Sequence, residues 1–169
     1  MKTLFQILMV CAVCFLTFDN EVSAQKMDSQ TKLVQAGIGL GGWADYTSST
    51  PILSVSYMQG IKDDFLNGRL AVGGVAGFKT ASYGYSNWDW HYTYTYVAGC
   101  ATWHPDFIQS EKFDVYAGLA LGVLIVKFDA RDDFFDGVDA SGSSMVLSGL
   151  VGARYSVTDI WGAYAEIGS

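Results

Sequence analysis

Between Lys112 and Asp129 the chain reads KFDVYAGLALGVLIVKFD. Taken two residues at a time, Val115, Ala117, Leu119, Leu121, Val123 and Ile125 point one way, and Tyr116, Gly118, Ala120 and Gly122 point the other. One face is an apolar ladder and the other is mostly small. Ten steps of about 3.4 Å, tilted by about 45°, cover roughly 24 Å, close to the apolar band of about 25 Å on a transmembrane β-barrel. The uncharged run is too short for a transmembrane helix, which needs about 20 apolar residues. Gly118 and Gly122 would also weaken a helix interior, although they match a helix-pairing G-x-x-x-G. A buried strand of a soluble protein shows the same period, so the other strands must decide what covers the apolar face.

Those strands repeat the pattern. In 32–43, Val34, Ala36, Ile38 and Leu40 alternate with Gln35, Gly37, Gly39 and Gly41. A polar stretch, 44–50, leads to a second strand in which Leu53, Val55 and Tyr57 oppose Ser54, Ser56 and Met58. After a turn at 62–67, the third strand (68–82) sets Leu70, Val72, Ala76 and Phe78 against Arg69, Ala71, Gly73, Gly77 and Lys79. In the fourth, from about Trp90, Tyr92, Tyr94, Tyr96 and Ala98 alternate with Thr93, Thr95 and Val97, and 104–110 closes it. The opening stretch is the fifth, an acidic loop at 130–142 leads to the sixth (144–156), and a tight turn at 157–160 leads to the seventh, from Trp161. Short connections make this an antiparallel, up-and-down, all-β meander. Residues 25–31 read as a loose polar leader, and no internal repeat is evident.

The second face discriminates. It carries Gly, Ala, Ser and Thr with isolated charges, whereas the water-facing side of a soluble barrel is normally rich in Lys, Glu and Asp. Glycine suits a narrow barrel interior, so the apolar face is expected to meet lipid.

Composition narrows the classes further. Lys2, an apolar run over 4–18, and Val22-Ser23-Ala24 before Gln25 fit a secretory signal over 1–24, leaving 25–169 as one barrel domain. Of three cysteines, Cys11 and Cys14 leave with that signal; Cys100 alone supports neither a disulfide framework nor a Cys-rich metal site. A net charge of −7 argues against nucleic acid, whose phosphates need basic patches.

Tyr116-Ala117-Gly118-Leu119-Ala120-Leu121-Gly122, then Gly152-Ala153-Arg154-Tyr155, then Ala165-Glu166-Ile167-Gly168 resemble the small bacterial outer-membrane β-barrel domain of the porin family. The likeness extends across nearly all of 25–169. It implies an eight-stranded barrel in the outer membrane of a Gram-negative cell, delivered by the outer-membrane assembly machinery, with no assigned reaction. About seven strands are present. The seventh is cut at Ser169, so the gene is expected to continue for roughly 15 to 25 residues, enough to finish one strand and add another of about 9 to 11.

Four charges sit inside otherwise uncharged strands: Arg69, Lys79, Arg154 and Glu166. Arg154 and Glu166 share the non-apolar face of adjacent strands. Because an unpaired buried charge costs several kcal/mol, the four are expected to pair within the lumen and fill it. On the outer loops, Trp88, Trp90, Phe134 and Phe135 are candidate contacts for a partner or lipopolysaccharide. Tyr83, Tyr85 and Tyr92 join the two tryptophans in what reads as an interfacial aromatic girdle. Asp129, Asp132, Asp133, Asp136 and Asp139 have carboxylates suited to calcium but not in EF-hand order, which favours a solvated acidic loop. Only His91 and His104 offer an imidazole base, with no G-x-S-x-G beside either. No enzyme activity, cofactor or metal is therefore expected. The reading is an integral outer-membrane barrel with a structural or surface-interaction role and a side-chain-filled lumen, in contact with outer-membrane lipid. The alternatives are a narrow porin-like channel and a secreted soluble ligand-binding barrel.

Overall fold

Side chains that alternate every two residues require extended backbone, whose N–H and C=O groups must then pair sideways. The computed structural model describes residues 15–16, 27–40, 48–85, 88–108, 110, 112–132, 135–158 and 161–168. Its strands are β1 (Phe15–Leu16), β2 (Lys32–Gly39), β3 (Ser48–Ser49), β4 (Ile52–Lys62), β5 (Gly68–Tyr85), β6 (Trp88–Pro105), β7 (Phe113–Asp132), β8 (Phe135–Ser156) and β9 (Gly162–Gly168). They form one sheet in the order β1-β2-β4-β5-β6-β7-β8-β9, with β3 paired to β5. The seven longer strands run antiparallel, up and down, in a sheet curled into a half-barrel. Among the described residues no helix is long and apolar enough to cross a membrane.

The expected seven-strand meander is present, but its hairpins are taller than the alternation suggested. The acidic stretch 130–142, expected as a loop, is laddered: Val126 pairs Gly142, Asp129 pairs Asp139, Ala130 pairs Val138 and Asp132 pairs Phe135. Exposed strands tolerate aspartate, and continuing the ladder pairs backbone groups that a loop would leave to water. Likewise β5 and β6 pair as far as Tyr85 and Trp88. At the opposite, lower end β6 runs through His104 to Pro105, where a turn was expected; Pro105 is the last residue of the strand and faces Gly68. Leu66 and Asn67 take φ of 51° and 56° in the β4–β5 turn, the pair of positive values that a type I′ hairpin needs.

Residues 27–31 are not a loose leader. Asp28 Oδ1 accepts bonds from the amides of Gln30 and Thr31 and from the Thr31 hydroxyl, at 3.0, 2.8 and 2.7 Å, folding the segment into a turn. Met27 packs in a cluster with Leu33, Met58, Ala71 and Tyr164.

The two faces of the sheet have opposite chemistry. On the convex face Leu119, Leu121, Leu147 and Met145 are 61, 53, 68 and 76% exposed. Val55, Phe78, Val97 and Ile167 extend the same apolar surface across β4, β5, β6 and β9. The buried concave positions instead hold Gln35, Arg69, Lys79, Thr102, His104, Asp114, Arg154 and Ser156. This is the inverse of a water-soluble barrel.

Candidate functional site

The charged residues gather on the concave face near the lower end because of two-residue spacing within strands and lateral register between them. Thr102 and His104 are two apart on β6, and Asp114 and Tyr116 are two apart on β7. Asp114 lies directly opposite Arg154 on β8, which lies opposite Tyr164 on β9. One row along, Tyr116 faces Gly152, which faces Glu166.

The resulting bonds are continuous. Thr102 Oγ1 lies 2.9 Å from His104 Nε2, and His104 Nδ1 lies 2.8 Å from Asp114 Oδ2. Arg154 Nη1 donates to the same Asp114 oxygen at 3.3 Å. The guanidinium also stands 5.3 Å from the centre of the Tyr116 ring, which packs at 5.3 Å against the His104 imidazole. The Tyr116 hydroxyl then donates to Glu166 Oε2 at 3.0 Å. It reaches that far because Gly152 lies between them: a Cβ there would run into the tyrosine ring. Separately, Arg69 Nε lies 3.0 Å from Asp106 Oδ1.

Thr102, His104 and Asp114 have the connectivity of a hydrolase triad. His104 is fully buried, however, and Asp114 Oδ2 is shared with a cation. The arrangement therefore works as a clamp across β6, β7, β8 and β9. Removing one member of such a buried pair typically costs about 3–5 kcal/mol.

All four charges named from the sequence lie on the concave strand positions. Arg154 bonds Asp114, Glu166 receives the Tyr116 hydroxyl, Arg69 pairs with Asp106, and Lys79 is buried on the row of Tyr94. Sequence reasoning missed His104, Asp114, Tyr116 and Asp106 as their partners. The available signal was parity: Asp114 and Tyr116 stand in step with Gly118 and Ala120, the small face of the strand.

Above the clamp the concave positions mix hydroxyls and Gln35 with apolar side chains such as Val75, Leu124 and Leu150. Ser56 Oγ donates to Gln35 Oε1 at 3.3 Å, while Gln35 Nε2 and the Tyr96 hydroxyl are buried with no hydrogen-bond partner among the described residues. The Tyr164 hydroxyl crosses to Gly37 and Ser54, where any Cβ on residue 37 would collide with it. Side chains thus fill much of the concavity, and its remaining polar groups call for water.

Toward the upper end, Tyr92 packs on Phe128 at 5.1 Å and stacks on Tyr94 at 6.3 Å. Trp90, Tyr92, Tyr94 and Tyr96 share the parity of buried Ala98 and Thr102, so they occupy concave positions. Of the girdle expected from the sequence, Trp90 and Tyr92 therefore do not point outward, because parity along the strand overrides the interfacial preference of aromatic rings. Trp90 is half-buried there. Trp88 and Phe135 are placed in β6 and β8 by their backbone, and Phe134 lies outside the described residues, as does Asp133. His91 takes the convex parity, with Nδ1 3.1 Å from Ser82 Oγ.

Neither the family models nor the curated proteins compared with this chain match it.

Proposed function

We propose that this chain is an integral β-barrel protein of a Gram-negative outer membrane, serving a structural or surface-interaction role with a lumen filled by its own side chains. The observation that carries the reading is the inversion of the two faces: leucine, valine and methionine on the convex side, charges and glycine on the concave side. In water, the convex side would be a contiguous apolar patch far beyond the few hundred Å² that soluble monomers usually expose. In a bilayer it is the expected lipid-facing band. The same inversion weighs against a secreted ligand-binding barrel, whose apolar face lines the cavity. Filling by Tyr164, Tyr116 and the clamp weighs against a general diffusion pore.

On this reading lipid, and lipopolysaccharide at the upper end, are the immediate neighbours, the outer-membrane assembly machinery inserts the chain, and residues 1–24 direct export. No reaction is assigned to it. Alkaline extraction of cell envelopes tests the reading: the protein is expected to stay with the outer-membrane pellet. Recovery in the soluble fraction would overturn it.

A further inference from the structure

Residues 27–31 precede the first long strand, and Met27 at their head enters the concavity while Asp28 and Gln30 stay exposed. Met27 is fully buried, and its packing partners Leu33, Met58, Ala71 and Tyr164 come from β2, β4, β5 and β9, with Cys100 of β6 packed against the group. The backbone follows it in: the carbonyl of Asp28 lies against Gly60, at a spot any Cβ would occupy. This segment therefore covers the lower mouth.

Its ties to the sheet begin with a bond one row beyond the Lys32–Gln59 end of the β2–β4 ladder. The Gly60 amide donates to Thr31 O at 3.0 Å. At the exposed rim the Ser29 amide and hydroxyl donate to the Asp63 carboxylate at 2.6 and 2.5 Å. The bonds to Asp28 Oδ1 are internal to the turn and survive if the turn moves as a body. A small unit held by few cross-bonds and one apolar anchor opens far more readily than a ladder of long strands. Beyond the anchor lie Gln35 Nε2 and the Tyr96 hydroxyl, buried and without partners among the described residues. Groups of that kind are normally satisfied by water, which needs a route in and out.

We propose that residues 27–31 form a displaceable plug, anchored by Met27 and seated on Gly60, that gates aqueous access to the polar chamber of the lumen. The proposal rests on the membrane-barrel reading and deepens it: the filled lumen has one removable wall.

Cys100, beside the anchor with Sγ 3.3 Å from Met58 Sδ, is a built-in reporter. The test measures labelling of Cys100 by a charged, membrane-impermeant methanethiosulfonate in proteoliposomes of the full chain, read as the mass of the peptide containing it. Met27→Asp, which places a charge in the anchor site, and Gly60→Val, which pushes the Asp28 carbonyl out, are expected to label at least about tenfold faster than wild type, while Met27→Leu labels at the wild-type rate. Unchanged rates in variants that still resist alkaline extraction would overturn the plug. A wild-type chain released by alkaline extraction would instead overturn the membrane reading and the plug with it. If both opening variants fail to fold, hydrogen exchange of wild type decides. The Gly60 amide is expected to exchange at least about tenfold faster than the ladder amides of β4, and equal protection would overturn the proposal.

Discussion

Leu121 and Gly122 are neighbours on β7 that point to opposite faces of the sheet, and substituting each tests whether the convex face meets lipid or water. Leu121 is 53% exposed on the convex side, between Gly99 and Leu147 on the flanking strands. The next charge on its face toward the upper end is Lys127, six residues on. At about 3.4 Å per residue and a tilt of about 45°, that is roughly 14 Å along the barrel axis, half of a hydrocarbon core of about 30 Å. An arginine at 121 therefore sits near the midplane. Leu121→Arg is expected to cost about 2–4 kcal/mol in a bilayer. On a water-exposed surface the same change would fall within about 0.5 kcal/mol of neutral. Gly122 points the other way, and a Cβ there meets Ala98 and the carbonyl of Val97. Gly122→Leu is expected to cost about 1–3 kcal/mol by overpacking whatever surrounds the barrel. Urea titrations of folding into phosphatidylcholine vesicles, followed by tryptophan fluorescence, measure both. A near-neutral Leu121→Arg in vesicles, beside a destabilising Gly122→Leu, would refute the lipid-facing assignment while leaving the fold intact.

On an unheated detergent gel the folded protein is expected to migrate differently from the boiled sample, because a hydrogen-bonded barrel resists detergent until heated; equal mobility of a demonstrably β-structured sample counts against a closed barrel. Asp114→Leu strands Arg154 and His104 without their carboxylate and is expected to cost about 3–5 kcal/mol, most of it recovered in the Asp114→Leu/Arg154→Leu double variant; additive losses in the urea titration would mean that the two do not act as a pair. Gly152→Ala drives a methyl into the Tyr116 ring and is expected to destabilise by about 1–3 kcal/mol, but to be nearly silent in a Tyr116→Ala background, where the space is free. An equal cost in both backgrounds would place the clash elsewhere.

The faces of the strands were legible because a two-residue period needs no knowledge of the neighbours. Ile38 and Leu53 were assigned to one side, Gln35 and Met58 to the other, and burial divides them the same way. What stayed hidden depends on lateral register. Asp114 and Arg154 are 40 residues apart in sequence and meet only because their strands pair at that row. The reach of Tyr116 to Glu166 needs two registers at once and a glycine between. The upper aromatics failed differently. Trp90 and Tyr92 were read from the habit of aromatic rings to collect at interfaces, although Ala98 in the same series already gave the side. Aspartates at 129–139 were read as a loop because charge density is a loop signal on average, whereas the backbone pairs on through Asp129, Asp132 and Asp139. The Met27 segment looked loose because its polar residues dominate, while its hold on the sheet comes from one buried side chain and from close approaches and bonds to Gly60 and Asp63, over 30 residues on.

The edges of the sheet link the fold to the membrane reading. β9 is paired on one side, to β8, and β2 is paired along its length on one side, to β4. On its other side β2 meets Phe15 and Leu16, which pair antiparallel with Gln35 and Val34. β2 and β9 run in the same direction, since five strands alternate between them, so a strand antiparallel to one is antiparallel to both. In hydrocarbon each unpaired N–H or C=O costs several kcal/mol, and seven-residue and eight-residue edges would forfeit more than the stability of an ordinary domain. The lipid-facing band and a pair of bare edges are therefore incompatible. If the convex face lies in a bilayer, the β2 and β9 edges must both be covered there by strand pairing, and one antiparallel direction serves both.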